Sequence, residues 1–233
     1  KLLNIWRIIS SMVTERNAEF FDIIKNRLTS KRLFHSICVA EKAKHLAEKY
    51  GSDAQKAYTT GLVHDIMKNE SVEKMLQMIE NDGQVLTESE KAITVTLHAI
   101  AGEIYLRKEL GVTDEEVLSA VRWHTTGKED MSLFEKIIYV ADLVSEDRDY
   151  PDVNEVRQLA EENLDKTLLR GLSFTIEDNA KKYKLMNFAQ ALRAVHFPES
   201  EKELLQKTVE KASTAIKEII QKGVDSAMNK YSH

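Results

Sequence analysis

Six side chains of this sequence could supply the donor atoms of a metal centre: His35, His64, Asp65, His98, His124 and Asp142. A neighbouring pair such as His64–Asp65 arises readily by chance in a chain with 7 His. The pair gains meaning from its company, because the other donors fall on or beside separate helical segments. Imidazole nitrogen with carboxylate oxygen suits iron, manganese or zinc, whereas magnesium and calcium take all-oxygen sites. Six donors exceed what one tetrahedral zinc uses and match two metals sharing a carboxylate. Each residue also has an ordinary reading: His35 as a core histidine, His98 as cover for a helix face, His124 as a polar residue at a helix end. Asp142 resists it most, since an ionised carboxylate among Ile137, Ile138, Val140, Ala141 and Leu143 is costly unless it meets a cation. The ordinary reading must be invoked five separate times over this set. A metal site needs only one.

To converge, these residues need helices packed around one centre, and the periodicity is helical nearly throughout. Thr29–Ser30 can cap a helix with Leu33, Phe34, Ile37, Ala40 and Leu46 on its apolar side, ending at Gly51. Ser52–Asp53 starts the next, over Ala54–Met67, which carries His64 and Asp65. A short helix around Val72–Glu80 and a break at Asn81–Gly83 precede a long one from about Glu88 to Leu110, stopped by Gly111. Capping-box spacing of Thr113 with Glu116, and of Ser132 with Glu135, starts helices over 114–124 and 133–144. After a loop around Pro151, Val153–Leu172 is helical again. The pattern is noisier from Thr175, and Ser200 with Glu203 starts a last amphipathic helix to about Lys222. With no strand pair, repeat or low-complexity tract, the fold class is all-α.

Composition agrees. The 233 residues, 42% hydrophobic, suffice for a full core, and only 2 Pro and 8 Gly argue against a turn-rich all-β fold and against disorder. Lys plus Arg number 33 and Asp plus Glu 38, a formal charge of −5 that is no footprint for nucleic acid or an acidic membrane. A single Cys excludes an internal disulfide and a multi-Cys zinc site and points to a reducing compartment, the cytoplasm. No apolar run approaches membrane-spanning length. The stretch Lys1–Val13, broken by Asn4, Arg7 and Ser10–Ser11, reads as amphipathic turns rather than a signal peptide.

The segments His35–Ser36, Gly61–Leu62–Val63–His64–Asp65 with Lys68, His98 to Gly102, Arg122 to Gly127 and Met131 to Asp142 together resemble the YqeK family of HD-domain metal-dependent phosphohydrolases. The resemblance covers roughly Asn17 to Leu192. It implies an HD-domain helical bundle around a central two-metal site, residues 17–196, flanked by an N-terminal extension 1–16 and a C-terminal amphipathic helical extension 197–233. The implied activity is symmetrical hydrolysis of diadenosine tetraphosphate to two ADP by a metal-bridging hydroxide, in a homodimer. The implied cofactor is a pair of divalent or trivalent ions, iron first, with manganese or zinc fitting the same donors. One ion falls to His35, His64, Asp65 and Asp142; the other to His98 and His124, with Asp65 as the bridge.

Within that frame Asp65 and Lys68 are the catalytic candidates. Lys68, three residues after Asp65, is expected on the same helix face, with its ammonium toward the scissile phosphate. Arg148 and Arg32 are expected on the outer phosphates, Thr125 and Thr126 offer hydroxyls, and Gly127 permits close backbone approach. Gly102 serves helix packing or the nucleotide, Lys136 and His45 read as surface residues, and Cys38 reads as a small core residue. Relatives usually carry Glu-Pro where this chain has Ser145–Glu146, and Pro where it has Ile100. The first change bears on the loop that holds Arg148. Two other readings stay open: an HD phosphohydrolase acting on another nucleotide or a cyclic dinucleotide, and a non-catalytic nucleotide-binding sensor.

Overall fold

The computed structural model describes residues 15–87, 90–91 and 93–183. Among them the chain forms helices α1 (Glu15–Arg27), α2 (Ser30–Tyr50), α3 (Ala54–Val63), α4 (Val72–Asn81), α5 (Leu97–Lys108), α6 (Glu115–Trp123), α7 (Leu133–Val144), α8 (Val153–Glu162) and α9 (Leu164–Tyr183), with a 3-10 turn at Thr94–Thr96 and no strand. The fold is all-α, as expected. None of these helices is long and apolar enough to cross a membrane.

Local chemistry sets the helix starts. Thr29, Asp53 and Ser71 each accept from the backbone N–H three residues on, and Ser132 with Glu135 closes a full capping box. Each cap is worth about 1 kcal/mol. Gly51 ends α2 in the left-handed region at φ 78°, open to glycine at little strain. Thr113 is not the cap of α6; Asp114 is, its carboxylate accepting from both Glu116 and Val117 N–H.

The core gathers around α2, α3 and α7. These three pack on one another, α6 bridges α5 and α7, and α8 and α9 cover the outer side of α7. Backbones touch where α3 crosses α2: a Cβ on Gly61 would lie 2.8 Å from Ala40 Cα. Ile24, Val39, Leu46, Leu62, Ile104 and Ile137 lie within this interior, each at most 2% exposed.

Three predicted helices break earlier than expected. The helix from Ala54 ends at Val63, and residues 64–69 continue as turns with Ile66 N bonded to Val63 O and Lys68 N to Asp65 O. There the Gly61 carbonyl, needed by another helical turn, takes the His64 imidazole instead. The long segment to Leu110 is interrupted at Ile93 (φ −105°, ψ 71°), where four β-branched residues in a row, Ile93 to Thr96, disfavour the helix. The helix from Val153 breaks at extended Asn163, whose carboxamide accepts from Lys166 N–H and so starts α9. Two observations add to the sequence reading: α1 was not foreseen, and α9 runs to Tyr183 through the noisy stretch. The extension 197–233, its helix from Ser200, and the leader to residue 14 lie outside the described residues.

Candidate metal centre

The six expected donors meet at the centre of the bundle. His35 comes from mid-α2, His64 and His124 from the C-caps of α3 and α6, His98 from the start of α5 and Asp142 from the last turn of α7. Asp65 lies between them: its Oδ1 is 3.0 Å from His98 Nε2 and 3.6 Å from His124 Nε2. Its Oδ2 is 3.5 Å from His64 Nε2 and 3.9 Å from His35 Nε2. Asp142 Oδ1 lies 3.0 Å from His35 Nε2 and 3.9 Å from His64 Nε2. Two trios, His35–His64–Asp142 and His64–Asp65–His124, each place their donor atoms within 4.8 Å of one another.

Hydrogen bonding decides what these atoms can do. His64, His98 and His124 each donate Nδ1–H to the carbonyl three residues earlier, Gly61, Val95 and Val121. With Nδ1–H committed to a carbonyl, Nε2 is the ring atom that each of these side chains presents to the centre. His98 Nε2 thus faces both His124 Nε2 at 3.3 Å and the Asp65 carboxylate. His35 Nε2, His64 Nε2 and Asp65 Oδ1 are buried without a hydrogen-bond partner. Lone pairs crowded together away from water are unfavourable unless a cation stands among them. The donor set therefore fits a metal site.

Electrostatics agree. Burial opposes ionisation of Asp65, yet His64, His124 and His98 hold its carboxyl well below the ordinary carboxylate range. Asp142 is likewise held low against burial, chiefly by the Arg148 guanidinium and by His35. Burial pushes His98 down to about 4, which keeps its ring neutral. His35 rises despite burial, because Asp142 and Asp147 attract positive charge onto the ring.

The HD domain model matches residues 32–147 and so takes in all six donors. The chain is 36% identical over 156 residues to the symmetrical bis(5'-nucleosyl)-tetraphosphatase of Bacillus subtilis, covering 66% of this chain and 82% of that protein. It is 38% identical over 163 residues to the protein of the same name from Halalkalibacterium halodurans, covering 69% and 85%. The chain belongs to the YqeK family of HD-domain phosphohydrolases. Among solved structures, a predicted HD superfamily hydrolase involved in NAD metabolism from Clostridium acetobutylicum is similar with a TM-score of 0.73 and 37% identity, covering 78% of this chain and 95% of that one.

Around the donors of this YqeK-family chain the other expected residues take unequal places. Lys68 reaches the centre from a turn, not from the helix face expected of it; its Nζ lies 3.1 Å from His98 Nε2, and burial lowers its pKa. Arg32 donates to Asp65 Oδ2 at 2.8 Å. Arg148 grips Asp142 through both the side chain and, at 2.8 Å, the backbone carbonyl. The Arg32 and Arg148 side chains are 29% and 35% exposed and that of Asp142 17%, against 3% for Asp65, so the centre is nearest to solvent on the Arg32–Asp142–Arg148 side. Thr125 Oγ1 is buried without a partner, Thr126 donates to the Gly127 carbonyl, and Gly127 adopts φ 65° to close the turn after α6. Gly102 packs against Val121 and Ile66, which makes it a helix-packing residue. Lys136 pairs with Asp165, His45 with Glu161 at the surface, and half-buried Cys38 stands outside both donor trios.

Sequence reasoning missed Asp147 and Arg157. Asp147 binds His35 Nδ1 at 2.8 Å, and Arg157 collects the carbonyls of Val144, Ser145, Glu146 and Arg148. The only available signal for Asp147 was its closeness to Asp142; it sits between Glu146 and Arg148, with Asp149 just beyond.

Proposed function

We propose that this enzyme hydrolyses diadenosine tetraphosphate symmetrically to two ADP, using two metal ions bound by the six central side chains. The observation that carries the reading is that close relatives named for this reaction match a chain whose HD segment holds the whole convergent donor set. His35, His64, Asp65 and Asp142 would hold one ion, and Asp65, His98 and His124 the other. Iron suits these donors, as do manganese and zinc. Bound there, such ions supply Lewis acidity, neutralising phosphate charge and lowering the pKa of water toward neutrality.

Water attacks one of the two central phosphorus atoms, the bond from that phosphorus to the bridging oxygen breaks, and ADP leaves in line carrying that oxygen; the water oxygen stays on the attacked half, which becomes the second ADP, and water's two protons are released or held on the new terminal phosphates. Asp65 presents both carboxylate oxygens to the centre and orients the groups on either side of it. Lys68, buried beside His98, neutralises charge on the departing oxygen. Arg32 and Arg148, at the open side, exchange Asp65 and Asp142 for outer phosphate oxygens when substrate enters. Thr125, Thr126 and Gly127 line the same end of α6 and contact the polyphosphate. The working unit is a cytoplasmic homodimer of an HD core over residues 17–196, with 1–16 and 197–233 as appended segments.

Metal-loaded protein incubated with diadenosine tetraphosphate tests the reading. ADP as sole product supports it, and ATP plus AMP rejects symmetrical cleavage. Turnover only of another nucleotide or a cyclic dinucleotide would reassign the substrate, and binding without turnover would make the protein a sensor.

A further inference from the structure

His35 is held differently from the other imidazoles. His64, His98 and His124 use carbonyls three residues back, at 2.7, 2.8 and 2.7 Å. Those carbonyls are free of the helix ladder because His64 and His124 cap helix ends and Val95 belongs to the 3-10 turn before α5. His35 sits inside α2, where a carbonyl one turn back already belongs to the ladder. Its partner must come from elsewhere, and it comes from a loop 112 residues away: Asp147 Oδ2, 2.8 Å from Nδ1.

That loop is itself fixed. Fully buried Ser145 donates from Oγ to Asp147 Oδ1 at 2.8 Å. Arg157 binds the carbonyls on both sides of Asp147, those of Glu146 at 3.2 Å and Arg148 at 2.8 Å. A carboxylate held from both ends leaves His35 a single ring plane.

We propose that Asp147, set in place by Ser145 and Arg157, is a positioning residue that aims the His35 Nε2 lone pair at a metal ion shared with His64 and Asp142. The proposal rests on the metal-site reading above. A carboxylate behind a ligating imidazole fixes its tautomer and raises its basicity, and loss of such a partner typically weakens metal binding about 10- to 100-fold. The ion beside His98 and His124 shares no direct contact with Asp147, so its affinity stays.

The test uses the full chain, stripped by chelator and titrated with Mn²⁺ in a calorimeter, as wild type, Asp147→Asn and Asp147→Ala. Melting of each metal-free protein checks that it is folded. Wild type should show two binding events; Asp147→Ala should weaken one of them about 10- to 100-fold and leave the other unchanged. Asp147→Asn, which keeps an acceptor oxygen but not the charge, should fall between and carries the test if the alanine variant does not fold. Wild-type affinities in both variants, or equal weakening of both events, overturns the proposal. A wild type that binds no Mn²⁺ instead sinks the metal-site reading itself, and the two failures are told apart by the wild-type titration.

Discussion

Gly61→Ala is a one-carbon change whose sign the packing decides. In an unobstructed helix interior this substitution stabilises by about 1 kcal/mol, because alanine has the higher helix propensity. Here the new Cβ would stand 2.8 Å from Ala40 Cα, 3.0 Å from Ala40 N and 3.1 Å from Val39 C, all backbone atoms of α2 that cannot rotate away. Relief requires α3 to withdraw from α2, and overpacking of this kind destabilises by about 1–3 kcal/mol or more. Because the opposing atoms are all backbone the upper part of that range applies, about 2–3 kcal/mol, and after the propensity gain of about 1 kcal/mol the net effect is a loss of about 1–2 kcal/mol. The withdrawal also reaches the centre, since His64 lies one turn beyond and takes its Nδ1 partner from the Gly61 carbonyl. A displacement near 1 Å between His64 on α3 and His35 on α2 can reduce turnover about 100-fold. Gly102→Ala is the internal control: its Cβ meets only Val121 Cγ1 at 3.4 Å and Ile66 Cγ2 at 3.8 Å among side chains, so it should be neutral or stabilising by up to about 1 kcal/mol. Urea unfolding with a common slope measures both. A Gly61→Ala protein as stable and active as wild type would refute the close-approach account of how α2 and α3 set the site.

Replacing His64 or Asp65 by Ala should remove bound metal and abolish turnover; elemental analysis beside an activity assay checks this, and full activity with unchanged metal content would reject the ligand assignment. Lys68→Ala should keep its metal and lose about 100- to 1,000-fold in kcat, because it removes a charge placed at the developing oxyanion. A rise in KM alone would recast Lys68 as a ground-state binding group. Acid stability should depend on Asp82. Burial opposes its ionisation, but Lys108 at 2.6 Å, Gln84 at 2.9 Å and Arg107 at 2.8 Å bring its pKa down from 3.8 to about 2. Its folded value lies below the unfolded one, so its contribution is complete above about pH 4 and disappears as pH falls toward 2. The size is about 1–2 kcal/mol, since Arg107 and Lys108 reach solvent. The stability difference between wild type and Asp82→Asn should shrink by about half between unfolding curves at pH 6 and pH 3, and a constant difference would exclude the linkage.

The central donors were legible because imidazoles and a carboxylate among apolar residues have few other uses, and their helices announced themselves by caps such as Thr29, Asp53 and Ser132. Helix ends were harder to read. His64 stops α3 by taking a carbonyl, an event invisible in a periodic pattern that continues through Ile66 and Met67. Lys68 therefore reaches His98 from a turn and not from the helix face expected of it. Asn163 lies within the single helix expected over Val153–Leu172, though its carboxamide starts a second one. Asp147 escaped notice because its partner lies 112 residues away, and no local spacing encodes that distance. Arg32 and Arg148 were expected on the outer phosphates; their pairing with Asp65 and Asp142 needed coordinates.

Anomalous scattering from crystals of the purified protein, recorded at the absorption edge of its own metal, measures the central arrangement most directly. The expected map has two peaks, one among His35, His64 and Asp142 and one against His98 and His124, with the Asp65 carboxylate between them. A map with no peak among these six side chains, in crystals whose metal content is established, would contradict it.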